Sequence, residues 1–233
     1  MMIRFTDVDY AYRPGEPVLS GASLEIASGL TLVLGPNGCG KSTLLKLAAG
    51  VERPDRGRAE IDGRDLWRDE VEARRSLAYV PEQPDLTPYA TIWDVLRLVC
   101  RLRGEAMGSG LKALESAGLE KLSNRSIREL SMGQRRRAVM AAAWIGWPRV
   151  ILLDEPLESM DRAMREQILL WLEKVLCNSA SVVVATHEIT AFLSKCVRAV
   201  TVKKGRCTVY HPLPAGDDER SALLEALARG ESF

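Results

Sequence analysis

The sequence predicts an α/β fold built on a largely parallel sheet, and three observations carry that prediction. Short apolar runs bounded by turn residues alternate with stretches of helical periodicity, as strand–helix–strand units require. A glycine-rich turn, "GPNGCGKST", stands directly between one such run and one such helix. A second run, "RVILLDEP", ends in two adjacent carboxylates, at the strand end where open α/β sheets hold ligands.

The elements follow in chain order. Ile3 to Val8, Ser23 to Ile26 and Arg58 to Ile61 are short strand candidates separated by Gly, Pro and Asp turns, which suggests an antiparallel β layer. Leu30 to Leu34 reads as a buried strand, and Thr43 to Ala49 as a helix closed by Gly50. Leu77 to Val80 is a further buried strand. From Leu86 to about Leu130 the pattern is almost purely helical, so a helical lobe is expected to be inserted into the core. Within it, Thr91 and Asp94 have capping-box spacing at the head of a helix that runs to Arg103 and stops at Gly104. Val150 to Leu153 and Ser181 to Ala185 complete the buried strands, and Asp161 can cap an amphipathic helix reaching about Leu176. "HPLPAGDDER" reads as a linker before a last short helix. The expected organisation is one domain over residues 1–211, its helical lobe at about 86–147, and a linker with a short helix over 212–233.

Composition excludes several classes. The chain has 233 residues, 46% hydrophobic and 27% charged, enough for one large domain. A formal net charge of +1 lacks the basic excess that releases counterions from nucleic acid. Met1 to Tyr10 mixes polar and apolar residues and has no signal-peptide core. The richest apolar segment, Ala138 to Trp147, is too short to span a bilayer and ends at Pro148. Five dispersed cysteines without a C-x-x-C pair fit reduced thiols in the cytosol better than disulfides or zinc. A soluble, intracellular chain is expected.

Gly35, Gly40, Lys41 and Ser42 match G-x-x-x-x-G-K-[ST]. Glycines let the backbone curl so that successive N–H groups face phosphate oxygens, and the following helix presents its positive end to them. Gly35, Pro36, Asn37, Gly38, Cys39, Gly40, Lys41, Ser42 and Thr43 are therefore the candidate phosphate-binding residues. Lys41 can reach the β- and γ-phosphates, Ser42 can ligate Mg²⁺, and Cys39 reads as a small loop residue. At the second strand end, Asp154 suits the Mg²⁺ shell. Glu155, pointing to the opposite side, suits orienting or deprotonating a water.

With "RELSMGQRRRAVMAAAWI" added, the chain resembles the nucleotide-binding subunit of an ATP-binding cassette (ABC) transporter over nearly its whole length. Leu130 to Gln134 stand for the family's LSGGQ signature, 90 residues beyond Lys41 at Ser131. The resemblance implies that Ser131, Gly133 and Gln134 cover the γ-phosphate held by an opposite subunit. It also implies that Gln83 senses Mg²⁺, that His187 contacts the γ-phosphate, that Tyr12 (or else Tyr10) stacks on adenine, and that Asp161 closes the D-loop. Departures are Met132 in the signature, Glu158-Ser159-Met160-Asp161 in the D-loop and Leu157 where threonine is usual. Arg135 to Arg137 read as a solvated helix face.

The function so implied is an ATPase subunit that uses ATP and Mg²⁺ to power transport through separate transmembrane permease subunits. It would dimerise head to tail with itself or a relative, reach the cytoplasmic face of the membrane only through those partners, and bind no nucleic acid. A soluble ABC ATPase acting on DNA or ribosomes is the alternative, and a P-loop kinase would leave the signature unexplained. "LTPYATIWDVLRLVCRLRG" resembles exporter subunits and favours export over import. The transported substrate is not legible.

Overall fold

The structure, a computed structural model, describes residues 2–84 and 86–231; Met1, Asp85, Ser232 and Phe233 lie outside the described residues. The chain opens on β1 (Ile3–Ala11), β2 (Pro17–Ile26) and β3 (Gly29–Leu34), followed by α1 (Lys41–Ala48). Next come β4 (Arg56–Ile61), β5 (Arg64–Asp65), α2 (Glu70–Arg74) and β6 (Leu77–Val80). Three helices then follow without an intervening strand: α3 (Ile92–Arg103), α4 (Met107–Ser116) and α5 (Met132–Trp144). The chain re-enters the sheet with β7 (Val150–Asp154), α6 (Arg162–Cys177), β8 (Ser181–Ala185), β9 (Cys196–Lys203) and β10 (Arg206–Tyr210), and closes on α7 (Asp217–Ala228).

Two sheets result. β2, β1, β4 and β5 form an antiparallel layer in that order. The second sheet runs β10-β9-β3-β8-β7-β6, parallel throughout except for the β9–β10 hairpin. Its central strands β7 and β8 are buried along their whole length because both faces are covered. Alternation sends Leu30, Leu32 and Leu34 of β3, Ile151 and Leu153 of β7, and Val182 and Val184 of β8 into one core. Val33, Val150, Leu152, Val183 and Ala185 enter a second core, which they share with α1 and the antiparallel layer.

The helical segment is anchored by polar contacts at its ends. Thr91 and Asp94 form the expected capping box, Asp94 N–H donating to Thr91 Oγ1 at 3.0 Å and Thr91 N–H to Asp94 Oδ2 at 3.1 Å. Gly104 takes a left-handed conformation and ends α3. Arg103 then crosses to the C-terminus of α5. Its Nη1 donates to the carbonyls of Ala142 and Ala143, each at 3.2 Å, and to that of Ile145, while its Nη2 reaches Leu77 O at 3.2 Å.

Some expectations need correction. The stretch from Leu86 to Leu130 is not purely helical: α3 starts only at Ile92, and the chain beyond α4 contains 3₁₀ turns at Glu120–Leu122 and Ile127–Glu129. The β9–β10 hairpin was not anticipated, although Lys204-Gly205 between β-branched runs signals it. Both residues have positive φ, 49° and 77°, as a two-residue hairpin turn demands. The last helix also contributes Leu224 and Leu227 to the main core.

Candidate functional site

The phosphate loop leaves β3 at Leu34 and needs three glycines in conformations that side chains disfavour. Gly35, Gly38 and Gly40 have φ of 143°, 77° and 111°. Helix α1 begins at Lys41, two residues earlier than its apolar pattern suggested, because Gly40 takes the N-cap position in a left-handed conformation. The first-turn N–H groups therefore face the loop with no partner in the helix. Lys41 is buried, and its Nζ donates to Gly35 O at 2.9 Å and Pro36 O at 3.2 Å, which curls the loop around the ammonium.

A cavity of about 670 Å³ opens over this loop. Asn37, Gly38, Gly40, Lys41, Ser42 and Thr43 line one wall, and Asp154, Glu155 and His187 line the wall formed by the C-terminal ends of β7 and β8. Gly35, Pro36 and Cys39 instead line a separate cavity of about 270 Å³. Cys39 Sγ fills the space beside Gly35, where an added Cβ would meet it at 2.8 Å.

Asp154 is 4% exposed and hydrogen-bonds to the Ser42 hydroxyl. Burial pushes its carboxyl above the ordinary range; the Ser42 bond opposes this and the charge of Glu82 adds to it. Glu155 has a left-handed φ of 46°, and its N–H donates to Ala185 O at 2.9 Å. That turn separates the two adjacent carboxylates. Glu155 Oε2 accepts from the His187 backbone N–H at 3.3 Å, and Oε1 lies 3.5 Å from His187 Nε2. Burial raises the Glu155 carboxyl too, with the His187 N–H pulling the other way. The Ser42 hydroxyl and Asp154 carboxylate are hard oxygen donors suited to Mg²⁺. Among the described residues no three His, Cys, Asp or Glu are grouped to hold a metal alone. That donor set fits Mg²⁺, which keeps waters and substrate phosphates as ligands.

Other expected residues fall in four places. Tyr12 lines the cavity, 51% exposed, edge-on to the buried Tyr10 with ring centroids 5.0 Å apart. Tyr10 belongs to the core, so Tyr12 is the ring that a base can reach. Gln83 is exposed and does not line the cavity; its neighbour Glu82 does. Both residues are exposed in the bend after β6, and the path of that bend brings Glu82 to the cavity wall. Ser131, Gly133 and Gln134 also lie off the cavity, at the head of α5. There Gln134 N–H donates to Ser131 Oγ at 3.2 Å and Ser131 N–H to Gln134 Oε1 at 2.9 Å, a complete capping box. Met132 is 55% exposed, and no atom lies within 4 Å of a Cβ added at Gly133. Asp161 caps α6, its Oδ1 accepting from Met164 N–H at 2.9 Å, while its Oδ2 pairs with Arg137.

Arg135 to Arg137 are not a solvated face. Arg135 donates to the carbonyls of Ile127 and Leu130, at 3.2 and 3.1 Å, and Arg136 is only 7% exposed. Glu82 and Glu158, both on the cavity wall, were missed as site residues. Only the unusual D-loop sequence pointed at Glu158.

A phosphate loop before α1, paired acids ending a parallel strand and a capped signature helix beyond an inserted lobe define an ATP-binding cassette. The ABC transporter family matches residues 19–158, and the chain belongs to that family. It is 31% identical over 214 residues to the molybdenum import ATP-binding protein ModC of Rhodopseudomonas palustris (strain HaA2), covering 88% of this chain and 56% of the relative. It is 33% identical over 216 residues to the taurine import ATP-binding protein TauB of Pseudomonas aeruginosa (strain UCBPP-PA14), covering 90% of this chain and 81% of the relative. Thus the chain spans about half of the ModC length and most of TauB. Among solved structures, the dimeric post-hydrolysis ATP-binding cassette MJ0796 bound to ADP and Pi has a TM-score of 0.78 and 28% identity, covering 91% of this chain and 99% of that one. Another, an ATP-binding subunit of an ABC transporter, has a TM-score of 0.82 at 23% identity, covering 97% and 95%, and supports the fold alone.

Proposed function

We propose that the chain hydrolyses ATP, with Mg²⁺, to drive a solute across a membrane through separate transmembrane subunits. The observation that carries this is the convergence of Lys41, Ser42, Asp154, Glu155 and His187 on one cavity, with the signature residues outside it.

The loop N–H groups and the start of α1 receive the phosphate oxygens. Lys41 exchanges the Gly35 and Pro36 carbonyls for phosphate, and Tyr12 offers its ring to the base. Ser42 and Asp154 hold Mg²⁺, which supplies neutralising charge to the triphosphate. Glu155 orients the attacking water and accepts its proton. Its burial raises its basicity, and the His187 contact fixes its direction. Ser131, Gly133 and Gln134 do not line this cavity, and in this reading they cover the nucleotide of a second subunit, identical or related. Asp161, paired with Arg137, ties the D-loop to that signature helix.

Residues 1–211 act as one ATPase domain in this reading, and contact with the membrane is through partners at its cytoplasmic face. Among the described residues no helix is long and apolar enough to cross a membrane. Tyr89, Leu98 and Leu102 are exposed apolar residues on the loop before α3 and on α3 itself, which suits docking to a permease loop. Relatives named for import, at 31–33% identity, favour import over the export suggested by the α3 region. Purified protein should hydrolyse ATP, and Lys41→Ala should lose at least ~100-fold of that activity while retaining its circular dichroism. Near wild-type turnover in a folded Lys41→Ala protein would end this reading.

A further inference from the structure

Two of the glutamates on the cavity wall, Glu82 and Glu158, come from different loops and are joined by one buried guanidinium. Arg136 projects from the second turn of α5 and is 7% exposed. Its Nε and Nη2 donate to the Glu82 carbonyl at 3.1 and 2.7 Å. Its Nη1 donates to the Glu158 carbonyl, and its Nη2 lies 3.2 Å from Glu158 Oε2. One side chain of the signature helix therefore fixes the backbone of both loops, and both of those residues turn toward the cavity that holds Ser42 and Asp154.

We propose that Arg136 is a positioning residue for the divalent cation of the nucleotide site. By clamping Glu82 and Glu158 it sets how closely their carboxylates approach the Ser42–Asp154 position, so that cation affinity depends on how the signature helix is seated. The inference rests on the Mg²⁺–ATP reading above.

The physical argument is one of charge. A triphosphate is strongly anionic and the facing wall already carries Asp154 and Glu155, so the Glu82 carboxylate, with that of Glu158 partly offset by Arg136, repels the nucleotide unless a cation lies between them. They reward the cation and oppose the bare nucleotide. Their effect is steep in distance, and the loops that carry them hold that distance only as well as their backbone is fixed. A guanidinium with donors spread over two carbonyls fixes it; an ammonium can reach one carbonyl at a time.

The test measures Mn²⁺ binding to the ATP-loaded protein by electron paramagnetic resonance of free Mn²⁺, beside ATP binding in EDTA. Arg136→Met should weaken Mn²⁺ binding by about tenfold, the loss expected of hydrogen bonds from a charged donor, with less than about a twofold change in metal-free ATP binding. Glu82→Gln, an exposed substitution, should weaken Mn²⁺ binding severalfold by itself. In the Glu82→Gln background Arg136→Met should cost less than about threefold, because residues acting as one unit are not additive. Arg136→Lys should recover part of the loss, and it carries the same cycle if Arg136→Met does not fold. Equal weakening of ATP binding with and without metal, or additive effects of the two substitutions, would overturn the proposal. A wild-type protein that binds no Mn²⁺ with ATP would instead overturn the functional reading on which it rests.

Discussion

In the role proposed for Glu155 two demands compete. A water-activating carboxylate works best when partly desolvated, yet desolvation penalises its charged form in the folded protein. Its carboxyl therefore titrates above the ordinary glutamate range, with burial as the main cause. Between the ordinary value and the raised one, the folded state holds more protons than the unfolded state, so stability falls as pH rises through that window. Above the window the full cost is present; below the ordinary value it vanishes. Glu155→Gln keeps the acceptor for the His187 N–H and removes the charge. It should melt a few degrees above wild type at pH 8, and the gap should close by pH 4. Thermal melts at both values check this, and a gap that does not shrink with acid would refute the link between burial and charge. Lys41, Ser42 and Asp154, which line one cavity, were legible as candidates because the chemistry of phosphate binding fixes their types and spacing. Glu82 was not. Which of two adjacent exposed residues reaches the cavity wall depends on the loop path after β6, and a string of letters does not distinguish Gln83 from Glu82.

At the scale of elements, the C-terminus of α5 depends on a side chain from another helix. Arg103 supplies donors to the carbonyls of Ala142, Ala143 and Ile145, which α5 itself cannot satisfy, and to Leu77 O beside them. Arg103→Met keeps much of the apolar stem and removes the donors. The loss should be about 2–4 kcal/mol of unfolding free energy, read from urea denaturation, since several buried carbonyls lose a charged partner at once. A loss under about 0.5 kcal/mol would show that water replaces the guanidinium freely. The capping boxes at Thr91 and Ser131, by contrast, are short-range, and the spacing Thr91–Asp94 announced the first of them. Arg136 shows the limit of such reading. Three consecutive arginines look like a solvated stripe, yet each is committed to a carbonyl or carboxylate of another loop.

For the whole molecule, one chain carries a phosphate loop and a signature helix whose capped end does not share the loop's cavity. Association across two chains is the arrangement in which both would be used, and nucleotide would then hold the pair together. Glu155→Gln, slow in hydrolysis, should form an ATP-dependent dimer on size-exclusion chromatography in EDTA-treated buffer, and should run as a monomer without ATP. Adding Ser131→Arg, which places a bulky cation at the head of α5, should abolish that dimer. If Glu155→Gln stays monomeric with ATP and also fails to pair with any co-encoded cassette, the two-chain arrangement is wrong. Population shift between open and closed pairs is the form in which such a subunit would deliver work to a membrane partner.

By itself the sequence determined the α/β class, the phosphate loop, the paired acids and the signature helix, because each is written in residues that are neighbours in the chain. Glycine spacing, an apolar run ending in Asp154-Glu155 and a Ser131–Gln134 cap are local physics. Tertiary structure alone decided which residues meet across the cavity: Tyr12 from β1's edge, Glu82 from the loop after β6, and His187 after β8. It also decided that Arg136 is buried between two loops and that Leu224 and Leu227 close the main core. Those outcomes depend on strand order, β3 lying between β9 and β8, and on long-range packing that no local pattern encodes.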